Sequence, residues 1–298
     1  MSSSGKVKSD VLLLLAAAIW GFAFVAQRVG MDYMGPFTFS AVRFSLGSLV
    51  LVPFLFFRKK QAFNKLFPTK KEKTRIIWLQ LLLGLLVFGG VSFQQYGLVY
   101  TTAGNAGFIT GLYVVFVPVA GLFMGQRNHF TIWIGVALAV AGLYFLSVRE
   151  GFTINFGDAL VLVCALIWTA HVIIVGHVAP RTDPIRTAII QFSICALFSW
   201  IVAIGVEEIA IQPILDALWP ILYGGLMSVG IGYTLQVFAQ QKAHPAYASI
   251  ILSLESVFAV LGGWLILNEV VTGKILLGCC LMLTGMIVAQ VKGFMKYD

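Results

Sequence analysis

Ten apolar runs, each long enough to cross a bilayer and separated by short charged or Pro/Gly-marked breaks, govern what this chain can become. They are Val11–Val29, Pro36–Phe57, Ile76–Val99, Gly104–Met124, Phe130–Val148, Ala159–Val178, Pro184–Val206, Ala217–Ala239, Pro245–Leu267 and Ile275–Val291. A helix needs about 20 residues to span the hydrocarbon core, and inside lipid every backbone N–H and C=O must be satisfied by the protein itself. The runs are continuous rather than alternating, and far longer than the roughly ten-residue strands of a spanning barrel. The expected fold class is therefore an all-α polytopic membrane protein with ten transmembrane helices. Of the 298 residues 59% are hydrophobic and only 11% charged, which leaves no length for a soluble domain. A cytosolic enzyme or transcription factor is thereby excluded.

The net charge of +8 has a topological explanation. Short loops retain Lys and Arg on the cytoplasmic side. With the N-terminus inside, sixteen of the twenty Lys and Arg fall on that side, Arg28, Arg149 and Lys274 fall outside, and Arg43 lies within a span. Glu207, Glu208 and Asp216 crowd an outer loop without a basic residue. An even number of spans returns the C-terminus to the cytoplasm, so both termini are expected there. The basic run Arg58 to Arg75 reads as a membrane anchor beside two spans rather than a nucleic-acid site. Met1 to Lys8 followed by Val11 to Val25 imitates a signal peptide, but nine apolar runs follow, so an uncleaved first span is expected. Cys164, Cys195, Cys279 and Cys280 all lie in apolar runs, which argues for buried thiols over disulfides or a zinc site.

The two halves repeat. At an offset of 148, Ile19-Trp20 recurs as Ile167-Trp168, Pro36 as Pro184 and Phe44-Ser45 as Phe192-Ser193. At 143, Gly135, Leu138 and Gly142 match Gly278, Leu281 and Gly285, and at 140 the segment Ala103 to Ala106 matches Ala243 to Ala246. The units are residues 9–148 and 157–291, each of five spans. Five is odd, so the second copy is inverted in the membrane, an architecture that lets two halves expose a midplane site to either side in turn.

These residues resemble the drug/metabolite transporter superfamily and its ten-helix EamA type. The resemblance rests on Ala18-Ile19-Trp20-Gly21-Phe22, Arg43, Gln95-Tyr96-Gly97-Leu98 running to Thr101-Thr102-Ala103, Leu254-Glu255-Ser256-Val257 and Asn268-Glu269, and it covers nearly the whole chain. Ser256 stands where the family has Pro, and Gln126 where an acidic residue often precedes span five. The resemblance implies two inverted five-helix repeats around a central cavity. It also implies outward movement of small metabolites, often amino acids, across a bacterial inner membrane.

A charge inside hydrocarbon marks a functional position by default. Arg43, Glu255 and His171 qualify. At about 1.5 Å per residue, Glu255 and His171 fall near the midplane and Arg43 about 10 Å from the outer surface. Glu255 or His171 could bind substrate or a coupling proton; equally, Glu255 and Arg43 could satisfy each other as a structural link, with Gln191 the repeat partner of Arg43. Trp20 and Trp168 are repeat-related and central, whereas most membrane tryptophans sit at the interface, so they are candidate cavity walls. Tyr113 and Ser253 join them by depth. Gln94, Gln95, Gln236, Gln240 and Gln241 suggest a vestibule or gate, or simply helix ends meeting water. Gly107-xxx-Gly111 and Gly121-xxx-Gly125 offer bare ridges for close packing, within the bundle or between protomers, so monomer and homodimer stay open.

No P-loop sequence is present, so transport would draw on gradients, with protons a possible partner and no cofactor expected. An intramembrane enzyme would need paired acids or a nucleophile with a base, and Glu255 is the sole mid-span carboxylate. A Ser/His pair and a passive channel remain as alternatives to the carrier. Small amphipathic metabolites, amino acids first, are the expected substrates.

Overall fold

The computed structural model describes residues 3–57, 69–100, 106, 109–126, 128–147, 156–268 and 270–295. Sequence expectations attached to residues 58–68, Gly107, Arg127, Arg149 and Glu269 fall outside them. The helices are α1 (Ser3–Met31), α2 (Pro36–Phe57), α3 (Lys70–Gly97), α4 (Tyr113–Phe123), α5 (Phe130–Ser147), α6 (Phe156–Val178) and α7 (Pro184–Val206). They continue with α8 (Ile211–Asp216), α9 (Leu218–Leu222), a π-helical segment (Tyr223–Tyr233), α10 (Thr234–Ala239), α11 (Pro245–Leu252), α12 (Glu255–Leu267) and α13 (Gly273–Met295). Seven helical stretches are long and apolar enough to cross a membrane, and three shorter apolar helices, Ile109–Phe123, Phe130–Phe145 and Gly273–Ala289, accompany them among the described residues. The outer surface is apolar, with Phe123 at 89% and Phe56 at 84% exposure, as lipid requires of a multi-pass membrane protein.

Local signals set the boundaries. Thr69 accepts from the backbone N–H of Glu72 to start α3, and Asp183 accepts from that of Arg186 ahead of Pro184 to start α7. At the end of α4, Gly125 adopts φ +78°, its N–H bonding Leu122 O at 2.9 Å while Gln126 N–H bonds Gly121 O at 2.8 Å. This corrects one expectation: Gly125 terminates the helix and does not extend the ridge of Gly121.

Helix contacts in the two halves correspond. Helices α2 and α7 run antiparallel, joined by Ser48 and Ser193 hydroxyls at 2.7 Å and by Trp200 Nε1 donating to Ser45 Oγ at 3.1 Å. Helices α5 and α13 are antiparallel too. A Cβ on Gly135 would lie 2.8 Å from Gly285 O, and one on Gly142 would lie 2.6 Å from Gly278 O, so the four repeat-related glycines make this crossing close. In the first half α3 packs on α6 and α7; in the second the π segment packs on α1 and α2.

Three of the expected runs depart from continuous α-helix. The eighth carries the π segment, where Gly225 lies against Leu46 of α2 and Gly232 against Trp20 of α1. The ninth breaks between α11 and α12: the N–H groups of Leu254, Ser256 and Val257 bond carbonyls three residues back. The fourth span tightens in the same way where Leu112 bonds Ile109 and Val115 bonds Leu112. Cysteine placement also differs from expectation. Cys164 and Cys195 are buried, but Cys280 lies on the exposed face of α13, where a small apolar thiol is compatible with lipid.

Candidate functional site

The two helix breaks are where the central site begins. Tyr113 is the first residue of α4 and Glu255 the first of α12, and between the two halves the Tyr113 hydroxyl donates to Glu255 Oε1 at 3.3 Å. Discontinuous helices at mid-depth are a recurring device of membrane carriers, because the loosened turn presents side chains and backbone to a cavity. Here the cavity measures about 50 Å³.

Both halves of the chain build its walls. Trp20, Arg43, Gln94 and Tyr113 come from the first; Trp168, Tyr233, Gln236 and Glu255 come from the second. Tyr233, the last residue of the π segment, is the hub of the aromatic wall. Its ring lies 4.6 Å from that of Trp20, 5.9 Å from Trp168 and 6.1 Å from Phe44. Trp20 is held by its indole N–H, which donates to the carbonyl of Ser228 within the π segment at 3.2 Å.

Arg43 is 3% exposed, lines the cavity, and has no ion pair or hydrogen bond among the described residues; its Nε is buried without a partner. The guanidinium sits between the rings of Phe39 and Phe44, 5.3 and 5.1 Å from their centroids. The anticipated Arg43–Glu255 link is therefore absent, and Gln191 bonds elsewhere. Insertion of a charge into the hydrocarbon core costs about 2.5–3.5 kcal/mol, so a buried guanidinium without a counter-ion among the described residues is expensive.

Several sequence candidates lie behind the wall rather than on it. His171 is fully buried, its Nε2 3.1 Å from Gln191 Oε1 and its ring edge-on to Trp168 at 5.3 Å. Ser253 donates to Ile250 O at 2.8 Å inside the α11–α12 break. Gln95 is fully buried, with neither amide atom hydrogen-bonded among the described residues.

The two ends of the cavity differ. Along α1 the lining runs from Trp20 to Gln27, about 10 Å toward the α1–α2 connection, and Gln94 lies three residues from the end of α3. In the other direction it stops at Gln236. One turn further, Gln240 Nε2 donates to Val172 O at 2.9 Å and Gln241 Nε2 to Ala179 O at 3.3 Å. Gln80 Nε2 donates to Thr187 Oγ1, and Thr187 Oγ1 to Thr182 Oγ1, each at 2.9 Å. This polar layer ties α3, α6, α7 and α10 together beneath the cavity.

Of the residues that depth singles out, Trp20, Tyr113, Trp168 and Glu255 line the cavity, and so do Tyr233, Ser228, Thr110 and Gln27, which depth alone does not single out. Gln27 was readable: Trp20, Ala23, Phe24 and Gln27 share a helical face. Among the described residues no three His, Cys, Asp or Glu gather as a metal site.

Comparison with known proteins agrees with this architecture. An uncharacterized transporter of Archaeoglobus fulgidus is 32% identical over 292 residues, covering 96% of this chain and 87% of its own. The threonine/homoserine exporter RhtA of Salmonella typhimurium is 26% identical over 284 residues, covering 91% and 86%. A solved crystal structure superposes with a TM-score of 0.78 at 18% identity, over 98% of this chain and all of that one, which establishes a shared fold. The model of the EamA-like transporter family matches residues 7–148 and again 155–290, and this chain belongs to that family.

Proposed function

We propose that the protein is a secondary carrier of ten spans in two inverted repeats that moves small amphipathic metabolites, amino acids first, out of the cell by alternating access. The observation that carries the reading is a cavity walled by residues of both repeats and closed at one end by a polar layer. The cavity is narrow, about 50 Å³, and parting the corresponding helix pairs of the two repeats would widen it toward one side or the other. With the N-terminus cytoplasmic, the end toward which the cavity extends is the outer one, and the glutamine–threonine layer is the inner gate. Residues 58–68 would then anchor the cytoplasmic face of a bacterial inner membrane. The exporter RhtA supports amino acids as cargo and export as direction. An intramembrane Ser/His catalyst loses support, because His171 pairs with Gln191 and not with a serine.

The test is efflux from proteoliposomes loaded with labelled amino acids and metabolites, with and without a pH gradient, for wild type and Glu255→Gln. Saturable flux that follows the gradient and is lost in the variant supports a proton-coupled carrier. Non-saturating flux indifferent to both would make the protein a channel and refute the proposal.

A further inference from the structure

We propose that the cavity recognises its cargo as a dipolar ion, with Arg43 taking a carboxylate and Glu255 an ammonium group. The inference rests on the carrier reading and goes further, since it assigns each pole of the substrate to one side chain.

The cavity encloses two ionisable groups that form no ion pair among the described residues. They are one guanidinium and one carboxyl, both at least nine-tenths buried. Each is held in place by neighbours that do not neutralise it. Arg43 lies between the faces of Phe39 and Phe44, and its Cδ is 3.3 Å from where a Cβ on Gly224 would stand. Glu255 opens α12 and receives one hydroxyl, from Tyr113. A monovalent anion would answer Arg43 and leave Glu255 alone; a monovalent cation would do the reverse. A molecule carrying both charges answers both, and the penalty for leaving either group unpaired becomes discrimination against single-charge analogues. The planar guanidinium fork matches a carboxylate through two parallel hydrogen bonds, and a carboxylate accepts well from an ammonium. The remaining wall, Trp20, Trp168 and Tyr233, is aromatic and suits an apolar side chain.

The experiment measures calorimetric binding to the full chain in nanodiscs. Leucine, phenylalanine and threonine are each compared with the amide, which lacks the carboxylate, and with the deaminated acid, which lacks the ammonium. Wild type should bind at least one amino acid about tenfold or more tighter than either analogue. Arg43→Gln should bind that amino acid and its amide alike, Glu255→Gln should bind it and the deaminated acid alike, and Arg43→Lys should keep part of the carboxylate preference. Variants are compared only where they elute as monodisperse protein, and Arg43→Lys serves if the neutral change does not fold. Equal binding of analogues by wild type, loss of all three compounds by a common factor in the variants, or no binding of any amino acid overturns the proposal. The selectivity pattern without flux in proteoliposomes would uphold recognition while removing the carrier reading.

Discussion

Gly232→Ala tests how the π segment and the aromatic wall depend on each other. The new Cβ would stand 2.7 Å from Trp20 Nε1 and 3.1 Å from its Cδ1, so relieving the overlap moves the indole by about 0.7 Å. Trp20 has little freedom to move: its N–H is committed to Ser228 O at 3.2 Å, and its ring lies 4.6 Å from that of Tyr233. Stretching the hydrogen bond out of range costs about 1 kcal/mol, overpacking adds about 1–3 kcal/mol, and replacing a helical glycine returns about 0.5–1 kcal/mol. The expected net loss is about 1–3 kcal/mol, or roughly 2–4 °C in Tm per kcal/mol for a chain of this size class. The assay is thermal unfolding in detergent at one fixed heating rate, since membrane proteins unfold irreversibly. The control is Gly205→Ala in α7, where nothing lies within 4 Å of the added Cβ and no loss is expected. In a Trp20→Ala background the Gly232→Ala cost should largely vanish, a coupling of about 1–2 kcal/mol. Additivity of the two changes within about 0.5 kcal/mol would refute the reasoning.

Two further outcomes follow from loops at the ends of the bundle. Glu207, at the end of α7, caps α2 across the repeat boundary by accepting from the N–H groups of Phe37 and Thr38 at 2.9 and 2.8 Å and from Thr38 Oγ1 at 2.6 Å; Glu207→Ala should cost about 1–2 kcal/mol in the same melting assay. Gly35→Ala should reproduce much of that loss, since its Cβ would collide with the Glu207 carboxylate, and an unchanged melt in both would remove the cap from the account. His244, between α10 and α11, accepts the N–H of Ala246 through Nδ1 at 3.4 Å, and burial holds its pKa below the ordinary 6.5. The unfolded chain therefore binds the proton first, so stability falls as pH drops below about 6.5, and His244→Gln should flatten that slope. A slope unchanged by the substitution assigns the pH response to another group.

How much of this was legible in the sequence depends on what each signal measures. Apolar runs predict helices and an approximate depth because lipid imposes one length and forbids unpaired backbone, and of the residues counted toward the middle Trp20, Tyr113, Trp168 and Glu255 line one cavity. Counting says nothing about azimuth. His171 has the depth of a substrate ligand, yet its face of α6 turns toward Gln191 on α7, and Ser253 turns its hydroxyl to the carbonyl of Ile250. For Arg43 the sequence leaves a structural link to Glu255 open beside a role in the cavity, because a buried charge calls for compensation. The fold instead holds it between two phenylalanines and beside the cavity. The π segment has no local signature: a glycine-rich stretch is compatible with α and π coils alike, and here the chain takes the π choice, packed against α1 and α2. That choice places Tyr233 against Trp20, Trp168 and Phe44 at once. The same contact geometry that hid the aromatic hub from the sequence makes it sensitive to one methyl group at Gly232.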